Sequence, residues 1–321
     1  MEESVNVGAY AKVREIIDRC AELRCSATEL KNGATLIDAG VNVEGSHELG
    51  RLIGEACMGG LGSVRITQMH IAEMTLPAVV VGTNRPVIAT MGSQFAGWSV
   101  KSTTFSAMAS GPARALALKE SGLFEKLGYR DDSKIGVVVL ETRQLPDERV
   151  LGEIASACCI DPSGLYCIVV PTASLAGSVQ IAARIVEVGV HKMHLLGYSL
   201  DGMRTGHGVA PIAPVASSDA KAMGVTNDCI LYAGRVYFYL RPTPDGRLEE
   251  LVNRVPSSAS SQYGQPFYKL FKSVGFDFYK IDPNLFSPAE VTLVDLTNER
   301  TYRAGKTNPD VLRESLKAVA E

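Results

Sequence analysis

The segment 165–187 most constrains the fold, because it joins an apolar run to a helical pattern through a turn of small and hydroxylated residues. Residues 165–170 have the length and apolar character of a buried strand. Thr172, Ser174 and Ser178 then lie at a strand-to-helix turn, where free backbone N–H groups favour an anionic ligand. The sequence therefore predicts a small polar site in an otherwise apolar neighbourhood.

Arg184 and Glu187 follow on the helix that this pattern predicts, and their spacing of three residues places them on one face. Together with the hydroxyl-rich turn they offer a cation and a carboxylate to a polar site. From spacing alone the favoured interpretation is a capped core helix with a surface ion pair, because structural ion pairs are common. Evidence from the rest of the chain is needed to decide between a polar site and a structural ion pair.

Composition limits the class of protein. The chain has 321 residues, of which 46% are hydrophobic and 21% charged, which is enough for a large core and one or two domains. The formal net charge is −3 and no basic block occurs, so a nucleic-acid or anionic-membrane partner is not indicated. No apolar run approaches a membrane span, and the acidic N-terminus lacks a signal pattern, so we expect a soluble, cytoplasmic protein.

The seven cysteines and five histidines do not form a recognisable metal or redox motif. No CxxC pair occurs and most cysteines lie in apolar stretches, which predicts buried, reduced thiols. His191 and His194 are three apart on a predicted helix, but no third ligand or HExxH pattern accompanies them, so no metal site is predicted. The dinucleotide, phosphate-loop and nucleophile-elbow motifs are not found in the contexts they need.

Local patterns along the chain predict a mixture of helices and strands. Asn32-Gly33 predicts a two-residue hairpin turn, and Ser46 is expected to cap a helix over 46–58. Strand-like runs cover 86–91 and 229–240. Residues 202–214 are rich in glycine and proline and predict a loop, which is either a domain connection or a ligand-binding loop.

These elements predict an α+β fold with two mixed α+β domains. The centre of the chain has the order strand, helix, strand, helix, and the N-terminal hairpin adds antiparallel pairing. The boundary is placed at the glycine- and proline-rich break. This gives an N-terminal domain over 1–201, which carries the helix of Arg184 and Glu187, and a C-terminal domain over 202–321, with segments that can interleave.

Nine short blocks follow one another along the chain. They are CMGGLG (57–62), GSQFAGW (92–98), SGPARALAL (110–118), LPDE (145–148), PTASLAGSVQIAARIVE (171–187), GVAPIAP (208–214), AMGVTND (222–228), QYGQPFYKLFK (262–272) and DFYKIDPNLFSPAEV (277–291). Each block alone is a weak signal, but their order and spacing together are specific. In these blocks the chain resembles the methenyltetrahydromethanopterin cyclohydrolase family over nearly its whole length.

The resemblance implies an enzyme of one-carbon metabolism. Such an enzyme interconverts methenyl-tetrahydromethanopterin, or its dephospho form, and water with formyl-tetrahydromethanopterin, in methanogenesis or in formaldehyde oxidation. The resemblance also implies a ligand pocket between two α+β domains, a homotrimer, and no metal. No cofactor is expected to be bound permanently, since the tetrahydromethanopterin derivative is the substrate carrier.

The family's R-x-x-E pattern falls on Arg184 and Glu187, so the resemblance makes them the candidate catalytic residues. The substrate is an amidinium-like cation whose bridging carbon is already electrophilic. The reaction therefore needs a base that removes a proton from water as it adds. We assign this role to Glu187, with Arg184 tuning it, because a nearby opposite charge favours the ionised form.

A pterin offers several hydrogen-bond donors and acceptors, which a pocket meets with a few placed polar groups in an apolar wall. The candidate substrate-binding residues are Ser93, Gln94, Phe95, Thr172, Ser174, Ser178, Gln180, Asn227, Tyr263 and Lys280. For the last three, a cap or turn hydrogen bond is at least as good an interpretation. Phe95 stands where some family members carry lysine, so it either stacks on the pterin or packs in the core.

Two other functions remain open at this point. One is a methenyl cyclohydrolase that uses tetrahydrofolate, although folate enzymes usually combine this reaction with a Rossmann-type NADP site, which is missing here. The other is a non-catalytic pterin-binding carrier. The presence of both Arg184 and Glu187 argues against a carrier.

Overall fold

The structure is a computed structural model that describes residues 3–242, 247–277 and 280–320. In these residues the strands form two six-stranded mixed sheets, accompanied by helices, which confirms the predicted α+β class. The strands are β1 (Ser26–Glu29), β2 (Thr35–Asp38), β3 (Gly62–Ile71), β4 (Met74–Thr83), β5 (Trp98–Lys101), β6 (Ser106–Ser110), β7 (Gly136–Glu141), β8 (Leu165–Val169), β9 (Met203–Pro211), β10 (Arg235–Leu240), β11 (Glu290–Asp295) and β12 (Arg300–Gly305).

The helices lie between these strands and after them. They are α1 (Val5–Asp18), α2 (Cys20–Leu23), α3 (His47–Cys57), α4 (Pro86–Ala89), α5 (Ala113–Ala117), α6 (Ser121–Leu127), α7 (Glu148–Ala157), α8 (Leu175–Ala182), α9 (Ile185–Leu195), α10 (Asp219–Ala233), α11 (Leu248–Val252), α12 (Phe267–Ser273) and α13 (Pro309–Ala320). A π-helical segment, Thr90–Gln94, directly follows α4.

The chain divides into two compact units whose segments interleave. The first unit is Met1–Ser63 with Val87–Gln180, and the second is Val64–Pro86 with Ile181–Glu321. This division differs from the predicted domains 1–201 and 202–321. The physical reason is pairing between distant segments, since β4 pairs antiparallel with β9 and so brings the β3–β4 hairpin into the second sheet.

The sheet of the first unit has the strand order β1-β2-β8-β7-β6-β5. Its three central strands, β2, β8 and β7, run parallel, and antiparallel strands flank them. Alternate side chains of a strand point to opposite faces. Val137 and Val139 therefore pack toward α1, α3 and α8, whereas Val138 and Leu140 pack toward α5 and α7.

Two local predictions for the first unit can be compared with the structure. The hairpin is present, because β1 and β2 pair antiparallel, and Gly33 has a φ of 87°. The connection is longer than the predicted two residues, since Glu29 pairs with Thr35. The predicted cap is confirmed: the Ser46 hydroxyl accepts a hydrogen bond of 3.1 Å from the backbone N–H of Leu49.

The sheet of the second unit has the order β12-β11-β10-β9-β4-β3, so β9 is a central strand. The prediction of a loop over 202–214 is therefore wrong. A Cβ atom added at Gly206 would lie 2.9 Å from Val186 Cγ1, and one at Gly208 would lie 2.8 Å from Ile185 Cγ2. These glycines let α9 pack closely on the strand, which is one of the uses of glycine inside a sheet.

Two strand predictions are also wrong, wholly or in part. Residues 86–91 fall in α4 and the start of the π-helical segment, and residues 229–233 form the last turn of α10. Only the second half of the run 229–240 is a strand, β10. The end of α10 is buried on nearly all sides, so its sequence lacks the polar stripe that marks a surface helix.

Asp228 ties together three helices of the second unit. It is fully buried on α10, where its carboxylate accepts hydrogen bonds from the Phe267 backbone N–H of α12 and from the Ser315 hydroxyl of α13. Burial raises the pKa of Asp228 to about 7, although both hydrogen bonds act in the opposite direction. Its carboxylate is thus a structural link between helices.

Candidate active site

The carboxyl ends of the three parallel strands in the first unit bring polar side chains to one edge of the sheet. β2 ends at Asp38 and β7 ends at Glu141, and β8 leads into the turn before α8. The Asp38 carboxylate accepts hydrogen bonds of 2.7 to 3.0 Å from the backbone N–H groups of Gly40, Val41 and Asn42. Asp38 therefore holds the loop that follows its own strand.

The chain leaves β7 and β8 toward opposite faces of the sheet. The helix after β8, α8, packs on the face of α1 and α3, whereas the helix after β7, α7, packs on the other face. Open α/β sheets bind their ligands in a crevice at the carboxyl ends of neighbouring strands that diverge in this way, so we place the candidate crevice here. The predicted turn at 171–178 borders this crevice.

Hydrogen bonds join the two loops across this crevice. The Thr172 hydroxyl donates to Glu141 Oε1, and the Arg143 guanidinium donates to the carbonyl oxygen of Ala173 at 3.0 Å. Sequence reasoning named Thr172 but missed Glu141 and Arg143. The available signal was their position, because both lie within three residues of the end of the apolar, β-branched run 135–140, and the ends of parallel strands meet at one edge.

The two serines of the turn differ in their hydrogen bonding. The Ser174 hydroxyl donates to the Pro171 carbonyl oxygen at 2.7 Å and accepts from the Gly177 N–H at 2.9 Å, so it caps the start of α8. The Ser178 side chain is 1% exposed, and within the described part of the chain its hydroxyl has no hydrogen-bond partner. A buried polar group of this kind calls for an explanation, such as a bound ligand.

Gly177 keeps this turn tight. A Cβ atom at this position would lie 2.1 Å from the Pro171 carbonyl oxygen and 2.7 Å from that of Thr172. Both atoms belong to the backbone and cannot move aside cheaply. The close approach of α8 to the end of β8 therefore requires glycine at this position.

Arg184 and Glu187 were predicted to lie on one continuous helix, and the structure shows that they do not. α8 ends at Ala182 and α9 begins at Ile185, with Arg184 as the residue before its first turn. Arg184 is 8% exposed and Glu187 is 5% exposed, so the interpretation as a surface ion pair is wrong. Glu187 lies in the first turn of α9, where the helix dipole favours a negative charge.

Ser93, Gln94 and Phe95 lie on or beside the π-helical segment. The Ser93 hydroxyl donates to the Cys57 carbonyl oxygen at 2.6 Å, and the Gln94 side chain is fully buried. Single π-helical turns are rare and are frequent at functional sites. This backbone therefore supports a site that includes Gln94, whereas the Ser93 hydroxyl already has a structural hydrogen bond.

A buried arginine supports the π-helical segment. Arg114 is fully buried and donates hydrogen bonds of 3.2 Å to the carbonyl oxygens of Met91 and Ser93. Its guanidinium also pairs with Glu120 at 2.8 Å and lies 5.1 Å from the centre of the Phe95 ring. Phe95 therefore packs on a cation of the chain itself, as in other arginine–aromatic pairs.

Comparison with known proteins gives the family. The family model described as Cyclohydrolase (MCH) matches residues 4–316. The methenyltetrahydromethanopterin cyclohydrolase of Methanococcoides burtonii is 41% identical over 312 residues, which cover 97% of this chain and 98% of that protein. The protein of the same name from Methanosarcina mazei is 42% identical over 314 residues, covering 97% and 98%. That from Methanococcus maripaludis strain C7 is 44% identical over 317 residues, covering 98% of each.

The chain belongs to the cyclohydrolase family. The resemblance stated from the nine sequence blocks is thereby confirmed, and so is the prediction of a cyclohydrolase. A cyclohydrolase needs a base for water and polar groups that hold its substrate. Glu187 of the second unit stays the candidate for the first, and the polar groups at the ends of β7 and β8 in the first unit stay candidates for the second.

Three candidate binding residues of this cyclohydrolase lie in the second unit. The Asn227 amide donates to the Met223 carbonyl oxygen at 2.8 Å, which is a hydrogen bond within its own helix. The Tyr263 ring lies 5.0 Å from that of Tyr232, and burial raises the pKa of Tyr263. Lys280 is exposed, with its ammonium nitrogen 3.8 Å from Asp277 Oδ2. Each therefore has a local partner that accounts for its position.

The described residues of this cyclohydrolase contain neither a cluster of metal ligands nor a membrane-spanning helix. In residues 3–242, 247–277 and 280–320, no group of three or more His, Cys, Asp or Glu side chains is placed to hold a metal ion. Within the same residues, no helix has the length and apolar character that crossing a membrane requires.

Proposed function

We propose that this chain catalyses the reversible hydrolysis of methenyl-tetrahydromethanopterin, or its dephospho form, to formyl-tetrahydromethanopterin. In this proposal Glu187 is the general base that takes a proton from water, and Arg184 favours its ionised form. The observation that carries the assignment is the burial of Glu187 in the first turn of α9, next to the break that holds Arg184. Membership of the cyclohydrolase family and the names of its relatives support the substrate.

The atoms of the reaction define what Glu187 does. Water forms a C–O bond with the electrophilic methenyl carbon, and Glu187 accepts one of its protons as this bond forms. The C–N bond to one ring nitrogen then breaks, and that nitrogen takes the second proton of the water. Because a cation becomes a neutral formyl compound, one proton is released overall. Hydrolysis is therefore favoured as the pH rises, and ring closure as it falls.

The proposed binding residues divide by the state of their polar groups. Thr172, Ser178, Gln180 and Gln94 are buried polar groups suited to a pterin in an apolar wall. The Ser174 hydroxyl is engaged in a cap, so it supports the turn and does not contact the ligand in this proposal. The tetrahydromethanopterin derivative is the substrate, and no permanently bound cofactor is invoked. By family resemblance we also propose a cytoplasmic homotrimer in methanogenesis or formaldehyde oxidation.

One assay separates the proposed substrate from its alternatives. The loss of the near-ultraviolet absorbance of the methenyl group is followed with the methanopterin and the folate cofactor in turn, at a pH where spontaneous hydrolysis is slow. We expect turnover with the methanopterin form alone. Turnover with the folate form alone would instead identify a folate enzyme, and tight binding without turnover would identify a carrier.

Glu187→Gln tests the catalytic assignment. The amide keeps the shape of the side chain but cannot take a proton, so we expect kcat to fall roughly 10²- to 10⁴-fold, the usual contribution of a general base. Because Glu187 is buried, circular dichroism and thermal unfolding are needed to show that the variant is folded. Glu153→Gln, at an exposed position of α7, is the control and should leave kcat unchanged. Near-normal turnover of folded Glu187→Gln would contradict the assignment.

A further inference from the structure

Glu141 is a carboxylate at the crevice that the proposed mechanism does not use. It is the last residue of β7 and lies where the chain leaves β7 and β8 toward opposite faces of the sheet. Ligands of open α/β sheets bind at this kind of position. Its side chain is half-buried, so it is partly shielded from water and still accessible to a ligand.

Most hydrogen-bond acceptor positions of the Glu141 carboxylate are not used within the described residues. Among the described residues its carboxylate has one partner, the hydroxyl of Thr172, and it forms no ion pair. An ionised carboxylate has about four acceptor positions on its two oxygens. Glu141 is therefore held in one orientation from one side and keeps free acceptors for a ligand that offers donors.

The chemistry of a pterin fits these acceptors. The pterin ring carries an N3–H group and a 2-amino group next to each other, and both donate hydrogen bonds in the plane of the ring. This edge has the geometry of a guanidinium fork, which pairs with a carboxylate through two parallel hydrogen bonds. A single carboxylate can accept both donors and can still accept the Thr172 hydroxyl.

We infer that Glu141, oriented by Thr172, binds the N3–H and 2-amino edge of the pterin ring at the crevice between β7 and β8. The inference rests on the proposed function, since it names how the same enzyme recognises its substrate. Glu141 then acts in binding and Glu187 acts in proton transfer, so the two carboxylates affect different kinetic constants.

Glu141→Gln is the primary test, because it changes donors and acceptors without changing size. The amide oxygen still accepts from Thr172, whereas the amide NH₂ faces the donors of the pterin edge. We expect KM and the Kd of the reduced pterin to rise roughly 10- to 100-fold, the range for hydrogen bonds to a charged group. The melting temperature should stay close to that of the wild type, and Glu148→Gln, an exposed position on α7, is the matched control.

A substrate analogue without the 2-amino group gives an independent measurement. Wild-type protein should bind the analogue at least roughly tenfold more weakly than the tetrahydropterin itself, whereas Glu141→Gln should bind the two about equally. Equal binding of both ligands by the wild type would overturn the inference, and this arm needs no variant to fold. An unchanged KM in folded Glu141→Gln would also overturn it.

The outcome for Glu187 distinguishes this inference from the proposed function. If the wild type turns over the methenyl substrate and Glu187→Gln does not, a normal KM in Glu141→Gln refutes the pterin contact alone. If the wild type shows no turnover with the methanopterin cofactor, the proposed function itself has failed. Thr172→Val should raise KM less than Glu141→Gln, because it removes only the group that orients the carboxylate.

Discussion

Two pairs of polar residues, one pair in each unit, show two different uses of such groups. In the second unit, Asp228 accepts hydrogen bonds from two other helices, and the Lys192 ammonium donates to the backbone and side-chain oxygens of Asn284 at 2.7 and 2.9 Å. In the described residues of the first unit, Glu141 has one partner and the Ser178 hydroxyl has none. The partners of Asp228 and Lys192 connect separate elements of the fold, whereas Glu141 and Ser178 keep hydrogen-bonding capacity that a ligand can use.

The pKa values of Asp228 and Lys192 show that burying a charged group for a structural role has a free-energy cost. Burial raises the pKa of Asp228 to about 7 and lowers the pKa of Lys192 to about 8, so each charged form is disfavoured by desolvation. Each group nevertheless has hydrogen-bond partners on other elements: Asp228 accepts from the buried Phe267 N–H, and Lys192 donates to the half-buried Asn284. This difference between the two pairs of residues leads to predictions that separate stability from substrate affinity.

The largest effect is expected for Asp228→Ala. The Phe267 N–H and the Ser315 hydroxyl would lose their acceptor inside the core, so the free energy of unfolding should fall by roughly 3 kcal/mol. Urea denaturation measures the change. Asp132→Ala, at an exposed position, is the control, and surface changes of this kind stay within about 0.5 kcal/mol.

The same substitution has a pH signature. The Asp228 pKa is about 7 in the folded state and near 3.8 when unfolded, so between these values the folded state holds a proton that the unfolded state has lost. The wild type therefore loses stability from this group as pH rises from about 4 to about 7, and Asp228→Ala does not. The gap between the two proteins should narrow over this range. A gap that stays constant would contradict the assignment.

A smaller effect is expected for Gly177→Ala in the first unit. The added methyl group would meet the carbonyl oxygens of Pro171 and Thr172, so the turn must open, at a cost of about 1 to 3 kcal/mol. Because this turn carries Thr172 and Ser178, kcat/KM should fall as well. Gly152→Ala on α7 meets no atom within 4 Å and should instead raise stability by about 0.5 to 1 kcal/mol. Equal effects at the two glycines would show that the tight turn is not required.

The smallest effects separate Ser174 from Ser178. Ser174→Ala removes the cap of α8 and should lower the free energy of unfolding by about 1 kcal/mol. Ser178→Ala removes a buried hydroxyl that has no partner among the described residues, so stability should stay the same or rise slightly. KM should rise severalfold in Ser178→Ala if this hydroxyl contacts the pterin. Thermal unfolding and steady-state kinetics distinguish the pair, and a loss of stability in Ser178→Ala would assign that hydroxyl a structural role.

Local sequence patterns predicted those elements that are determined by residues close together in the chain. The Ser46 cap depends on residues three apart, and the β8-to-α8 turn on a run of small and hydroxylated residues, so both are visible in the sequence. β9 was not predicted because its glycines are needed for close packing against side chains of α9, which lies more than a dozen residues earlier in the chain. The sequence alone does not show whether a glycine gives the backbone conformational freedom or makes room for a packed helix.

The candidate site was predictable to a similar extent. The hydroxyl-rich turn was named from the sequence, but the break between α8 and α9 was not, because no glycine or proline marks Ala183 and Arg184. Glu141 was missed because its importance comes from the directions in which two neighbouring strands continue. That property belongs to the topology of the sheet and cannot be recognised from any one strand.

The β3–β4 hairpin has a consequence for how the chain folds. Thr83 of β4 pairs with Gly206 of β9, so about 120 residues separate the partners, and loop closure must precede this pairing. On a ribosome the hairpin emerges early, and its edge stays unpaired until β9 has been synthesised. We therefore expect the second sheet to form late and slowly, and expression of residues 181–321 alone to give a chain that lacks two of its strands.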